Sequence, residues 1–207
     1  MAHGQIVRMS PFGEAIYGVA CNQKFQTYLD IGAWCGLGTT KCMMDGIILR
    51  HNHNPADKSM LIALETKRTF YNITKTYWEK HIQSIKLPQT IFQIHNASLV
   101  SYNELDEKIN NCSKEQYEYN KDIKLCPVVD LCNNVDVVCL DGGLFSTRKE
   151  WEKLKNRIQV VILDDTRFPK TSTILQEIKN QPQMWNIIYE SNLRNGELIA
   201  ERKTCPI

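Results

Sequence analysis

Short apolar runs alternate with amphipathic stretches along most of the chain, and this alternation limits the fold more than any other feature. Thr27–Ile31, Met60–Leu64, Thr90–Ile94, Val135–Leu140 and Gln159–Leu163 read as short buried strands, because continuous apolar runs of this length suit strands covered on both faces. Thr39–Arg50 and Thr69–Ile85 read as helices, with Met43, Met44, Ile47 and Ile48 in the first and Phe70, Ile73, Tyr77, Trp78 and Ile82 in the second at helical spacing. Ser101–Ile109, Ser146–Lys155 and Thr171–Asn180 read as further helices, opened by Ser101, by Ser146, and by Thr171 or Ser172. Trp185–Tyr189 and Glu197–Arg202 flank Asn195-Gly196, a strong short-range hairpin signal. The sum is a mostly parallel α/β sheet closed by an antiparallel β-hairpin.

Composition removes several functions. At 207 residues the chain has room for one ordinary domain. Its 25 basic and 23 acidic residues give a net charge of +2, without the basic excess of a dedicated nucleic-acid binder. No apolar run reaches the length of a membrane span, and the first residues lack the layout of a secretion signal. The eight cysteines form no CxxC pair and no zinc spacing, so they are expected to be reduced thiols of a cytoplasmic protein. Residues 1–25 are expected to form an N-terminal extension, and the irregular residues 110–133 an insertion or lid.

In open α/β sheets, ligands bind beyond the carboxyl ends of the strands. After the first strand comes Gly32-Ala33-Trp34-Cys35-Gly36-Leu37-Gly38-Thr39-Thr40, a glycine-rich turn that brings helix amides toward a ligand. It matches neither G-x-G-x-x-G nor the Walker pattern. Glu65 ends the second strand, where a carboxylate can accept bonds from both hydroxyls of a ribose. Asp141 follows the fourth strand and Asp164-Asp165 end the fifth. Taken singly, each of these aspartates reads as a turn or cap residue. Three carboxylates at neighbouring strand ends repel one another unless a cation lies among them, and hard oxygen donors suit Mg²⁺, with Ca²⁺ or Mn²⁺ as variants.

The segment Tyr28-Leu29-Asp30-Ile31-Gly32-Ala33-Trp34-Cys35-Gly36-Leu37-Gly38-Thr39-Thr40 resembles motif I of class I S-adenosylmethionine (SAM)-dependent methyltransferases. The nearest form is the E/D-I-G-x-x-x-G-x-S/G-T variant of metal-dependent small-molecule and sugar O-methyltransferases. Asp136–Gly143 resembles their D-x-x-x-I-D-G block, and Val160–Asp165 their strand ending in Asp-Asp or Asp-Asn. The resemblance implies a Rossmann-like three-layer sandwich, with a mostly parallel seven-stranded sheet and a C-terminal antiparallel hairpin. It implies that Gly32, Gly36 and Gly38 shape the pocket for the methionine part of SAM, that Thr39 and Thr40 lie near its carboxylate, and that Asp30, Ala33 and Trp34 also belong to the cofactor site. Glu65 would hold the ribose, and Asn96, Ala97 and Ser98, with His95, would border the adenine. Asp141, Asp164 and Asp165 would bind Mg²⁺ or another divalent cation.

Methyl transfer to oxygen needs alignment of acceptor and methyl group and removal of a proton. Candidates for the base are Asp141, His95 and Lys149; Gly143 stands where some relatives place a polar residue. The expected acceptor is a hydroxyl of a sugar or glycan, with Tyr117 and Tyr119 of the insertion available for stacking. The chain is expected to be part of a larger glycan-synthesis protein. Two alternatives stand beside this reading: a catechol-like or other small hydroxylated acceptor, and a nicotinamide-dependent oxidoreductase.

Overall fold

The structure is a computed structural model that describes residues 6–105, 121–131 and 135–203. Its elements in chain order are α1 (Pro11–Cys21), β1 (Thr27–Ile31), α2 (Thr39–His53), β2 (Met60–Leu64), α3 (Arg68–Ser84), β3 (Phe92–His95), β4 (Val137–Leu140), α4 (Thr147–Leu154), β5 (Val160–Asp164), α5 (Pro169–Lys179), β6 (Trp185–Ser191) and β7 (Glu197–Arg202). The seven strands form one sheet in the order β3-β2-β1-β4-β5-β7-β6. The first five pair in parallel, and β7 runs antiparallel between β5 and β6. An open dinucleotide-binding sheet of order 3-2-1-4-5-6 has no such inserted strand.

Side chains alternate across the strands and divide the core in two. Tyr28, Leu61, Ala63, Val137, Cys139, Val160 and Ile162 face α1, α2 and α3, meeting Phe12, Ile16, Met43, Met44, Ile47, Trp78 and Ile82. Leu29, Ile31, Ile62, Leu64, Val138, Leu140, Val161 and Leu163 face α4 and α5, meeting Trp151, Leu154, Ile174 and Ile178. The result is three layers, helix–sheet–helix. At the amino ends of the strands, Arg50 donates to the carbonyls of Asn22 and Phe25, to the Tyr28 hydroxyl and to Asp57. Asp136 accepts from the Gln26 and Thr27 amides and from the Gln159 side chain, tying β1, β4 and β5 together.

Three expectations change. Residues 11–21 are a core helix rather than a free extension: Ser10 accepts from the Gly13 amide as N-cap, Pro11 sits at the first helical position, and Phe12, Ile16 and Ala20 are buried. Helix α5 starts two residues before Thr171, after Phe168 and on Pro169. Thr171 donates its hydroxyl to the Asp165 carbonyl at 2.7 Å, so it braces the loop instead of capping the helix. Of Ser101–Ile109, Tyr102–Glu104 form a single 3-10 turn, and residues 106–109 lie outside the described residues. Most of the expected 110–133 lid, with Tyr117 and Tyr119, also lies outside them; residues 121–125 are helical. Among the described residues, no helix is long and apolar enough to cross a membrane.

Candidate functional site

The site lies where β1 and β4 meet, with crossovers leaving in opposite directions on either side, the expected ligand crevice of a doubly wound sheet. Parallel register sets its geometry. Leu140 pairs with both Ile31 and Leu163, so one step further Gly32, Asp141 and Asp164 share a level. Side-chain alternation then turns Asp141 and Asp164 toward the same side of the sheet, above the start of α2. A cavity of about 330 Å³ opens there, walled by Gly32, Ala33, Trp34, Gly38 and Thr39, by the three aspartates, and by Ile6, Arg194 and Asn195.

The loop after β1 is held from below. Asp30 is fully buried and accepts hydrogen bonds from the Thr39 hydroxyl at 3.1 Å and the Thr40 hydroxyl at 2.5 Å. Burial pushes its carboxyl up to about 6 against these bonds. Asp30 and Thr40 therefore fix the start of α2 from within, and Thr39 alone of the three reaches the cavity wall. Helix α2 has Gly38 as N-cap and no side-chain cap, which leaves first-turn amides for an anionic group. Gly32, at φ +89, could not carry a side chain, because a Cβ would lie 2.3 Å from the Asp141 carbonyl oxygen. Gly36 turns the other way: its Cβ position meets Thr74 and Trp78 of α3, and its carbonyl accepts from Trp78 Nε1 at 3.0 Å. It packs the loop and does not line the cavity. Trp34 adopts a left-handed φ of 46, with its carbonyl held by Thr74 and its ring edge-on to Phe70.

At the end of β2, Glu65 accepts from the Trp34 amide through Oε2 and from the Lys67 amide through Oε1. Each oxygen keeps a lone pair for a further donor. Burial drives its carboxyl up to about 7 in spite of both amides. Asn96 donates to the carbonyls of Glu65 and Thr66, bracing the same turn. Ala97 and Ser98 are buried, and Ser98 bonds to the backbone of Pro127 and Val129. The Asn96 side chain, which also donates to Cys126 Sγ, and the Ser98 backbone therefore hold the β3 end to the 126–129 segment.

The Asp141, Asp164 and Asp165 carboxylates each offer an oxygen within 4.8 Å of the others. At that spacing each ionised pair repels by roughly 3 kcal/mol at an effective dielectric of ~20, so the cluster requires compensating charge. Two cations supply part of it. Lys170 Nζ lies 2.8 Å from Asp141 Oδ1 and 2.9 Å from Asp165 Oδ2, and Arg194 contacts Asp164 Oδ2 at 3.1 Å. Asn195 also donates to Asp165. Asp165 sits at φ 59, which folds its side chain back beside that of Asp164. Asp164 is pushed up to about 7 by burial and then by the neighbouring Asp141 charge. Asp141 is raised by desolvation that Lys170 only partly offsets. In Asp165 desolvation is outweighed by Lys170, Asn195 and Arg194, and the carboxyl sits below its ordinary value. Desolvation alone would lower the Lys170 ammonium, but Asp141 and Asp165 hold it above its ordinary value.

Strand order separates the proposed bases. His95 ends β3, three strands from β4, or about 14 Å at the ordinary interstrand spacing; the structure does not bring it to Asp141. Lys149 lies half-buried on α4 and does not line the cavity. Lys170 and Arg194 are the site residues that the sequence reading missed.

No protein-family model matches the chain, and no curated protein matches it in sequence. Solved structures do match. An O-methyltransferase from Bacillus cereus in complex with SAH aligns over 98% of this chain and 84% of its own, at 13% identity and TM-score 0.59. The O-methyltransferase TomG from Streptomyces achromogenes, involved in tomaymycin synthesis and in complex with SAM, aligns over 94% and 80%, at 12% identity and TM-score 0.57. An SAH-bound methyltransferase from Podospora anserina aligns over 93% and 78%, at 9% identity and TM-score 0.56. The chain has the α/β fold of these methyltransferase structures.

Proposed function

We propose that the chain is a SAM-dependent O-methyltransferase that binds a divalent cation, Mg²⁺ first, and methylates a hydroxyl of a sugar or glycan. One observation carries this reading: a single cavity joins the glycine loop and uncapped start of α2 to the Asp141–Asp164–Asp165 cluster.

The residues fit both groups. For SAM, the free α2 amides suit its carboxylate, and Glu65 retains acceptor capacity for ribose hydroxyls. For the cation, the three aspartates would offer hard oxygen donors, all within 4.8 Å of one another. A bound divalent ion would polarise the acceptor oxygen and lower its pKa. The protein's own work is positioning. On this reading Trp34 and Gly32 would wall the methyl-donor side of the cavity, and Asp141, Asp164 and Asp165 the acceptor side. Asp141 packs its backbone against Gly32 and sets its carboxylate in the cluster, and it is the residue that would take the acceptor proton. In-line alignment of the acceptor oxygen with the methyl group supplies much of the acceleration.

The test is radiolabelled methyl transfer from SAM to a panel of free sugars, oligosaccharides and catechols, with and without EDTA. Transfer to a sugar that EDTA abolishes and Asp164→Ala abolishes is the expected result. Transfer to catechols alone would replace the acceptor, and transfer unaffected by EDTA would remove the metal.

A further inference from the structure

Lys170 stands in the first turn of α5, where the helix dipole disfavours a cation. A lysine with no task there would extend into water. Instead its side chain is only 12% exposed and bridges Asp141 and Asp165 with a short contact to each. These are two of the three carboxylates that the reading above assigns to the divalent cation. An ammonium and a divalent ion on the same carboxylates repel each other, so each weakens the hold of those carboxylates on the other. Arg194 differs in kind: it pairs with Asp164 and lies 4.0 Å from Glu197, and its side chain is 28% exposed.

We propose that Lys170 is a tethered counter-ion that competes with the divalent cation for Asp141 and Asp165, so that metal uptake is an exchange in which the ammonium withdraws. The inference rests on the metal reading of the aspartate cluster. The Lys170 ammonium neutralises the cluster while the protein is metal-free, and it weakens metal binding by the free energy needed to break its two contacts. The site then loads only when the cation concentration is high enough to drive the exchange.

The test uses the full chain stripped with EDTA and titrated with Mn²⁺ alone, free Mn²⁺ being followed by electron paramagnetic resonance. Lys170→Met is expected to bind Mn²⁺ at least about tenfold more tightly than the wild-type chain, because the competing charge is gone. Lys170→Arg, which keeps the charge, is expected to stay within about threefold of wild type. Metal-free Lys170→Met is expected to melt below wild type and to regain the difference on adding Mn²⁺. Equal Mn²⁺ affinity in wild type and Lys170→Met overturns the exchange while leaving the metal site standing. Absence of Mn²⁺ binding in every variant overturns the metal reading and the exchange with it. Should Lys170→Met fail to fold, Lys170→Gln is titrated in its place, and equal affinity there overturns the exchange in the same way.

Discussion

Glu65 Oε2 accepts the main-chain N–H of Trp34 at 2.7 Å, binding the end of β2 to the loop that follows β1. The same carboxylate takes the Lys67 amide at 2.8 Å. One side chain thus shapes the turn beside the cavity and offers its remaining lone pairs to a ligand. Glu65→Gln keeps the size but leaves one acceptor oxygen where two are needed. It is expected to weaken SAH binding at least about tenfold, as the loss of a charge-assisted hydrogen bond would. Calorimetric titration of both proteins checks this, and unchanged affinity would remove Glu65 from the binding site.

Stability should fall as pH rises toward neutrality. Burial raises the carboxyls of Glu65, Glu150 and Asp164 to about 7 and that of Asp30 to about 6. In the unfolded chain these groups titrate near 4. Between those values the folded state holds more protons than the unfolded state, so the sign of the linkage is destabilising with increasing pH. Glu104 works the other way: the Ser101 amide and Lys153 hold it down to about 2, so its contribution is present above pH ~4 and is lost in acid. Melting in EDTA from pH 5 to pH 8 should show a falling midpoint. Glu150 is buried with Oε2 unpartnered, and Glu150→Gln should make the slope shallower. A midpoint that climbs across this range would contradict the assignment.

Arg50 and Asp57 form a pair with side-chain exposures of 3% and 7%. Arg50 also saturates carbonyls at the end of α1 and before β1. Arg50→Ala would strand Asp57 and these carbonyls, at a cost of about 3 kcal/mol or more. For a domain of this size that corresponds to a fall of roughly 6–12 °C in melting temperature. Far from the cavity, the change should leave SAH affinity unaltered at low temperature. A loss below about 2 °C would mean that the pair is not a structural tie.

The strand ends were legible because parallel strands buried on both faces leave continuous apolar runs, and chemistry collects where those runs stop. Asp141, Asp164 and Asp165 were found in this way, and register then placed Asp141 beside Asp164. Helix α1 was missed although Ser10, Pro11 and the spacing of Phe12, Ile16 and Ala20 announced it. The charges that answer the aspartates were not legible. Lys170 and Arg194 look like any surface cations in sequence, and only the folded path returns them to the cluster. The separation of His95 from Asp141 was hidden for the converse reason: it follows from strand order, which local sequence does not encode.

We propose that the cavity at the ends of β1 and β4 receives SAM. Isothermal titration of the full chain with SAH tests it most directly, since the product analogue needs no acceptor and no turnover. One saturable site per chain is the expected result, with affinity reduced in Glu65→Gln. No saturable heat up to about 1 mM ligand, where even a ~4 kcal/mol interaction would register, would contradict the claim.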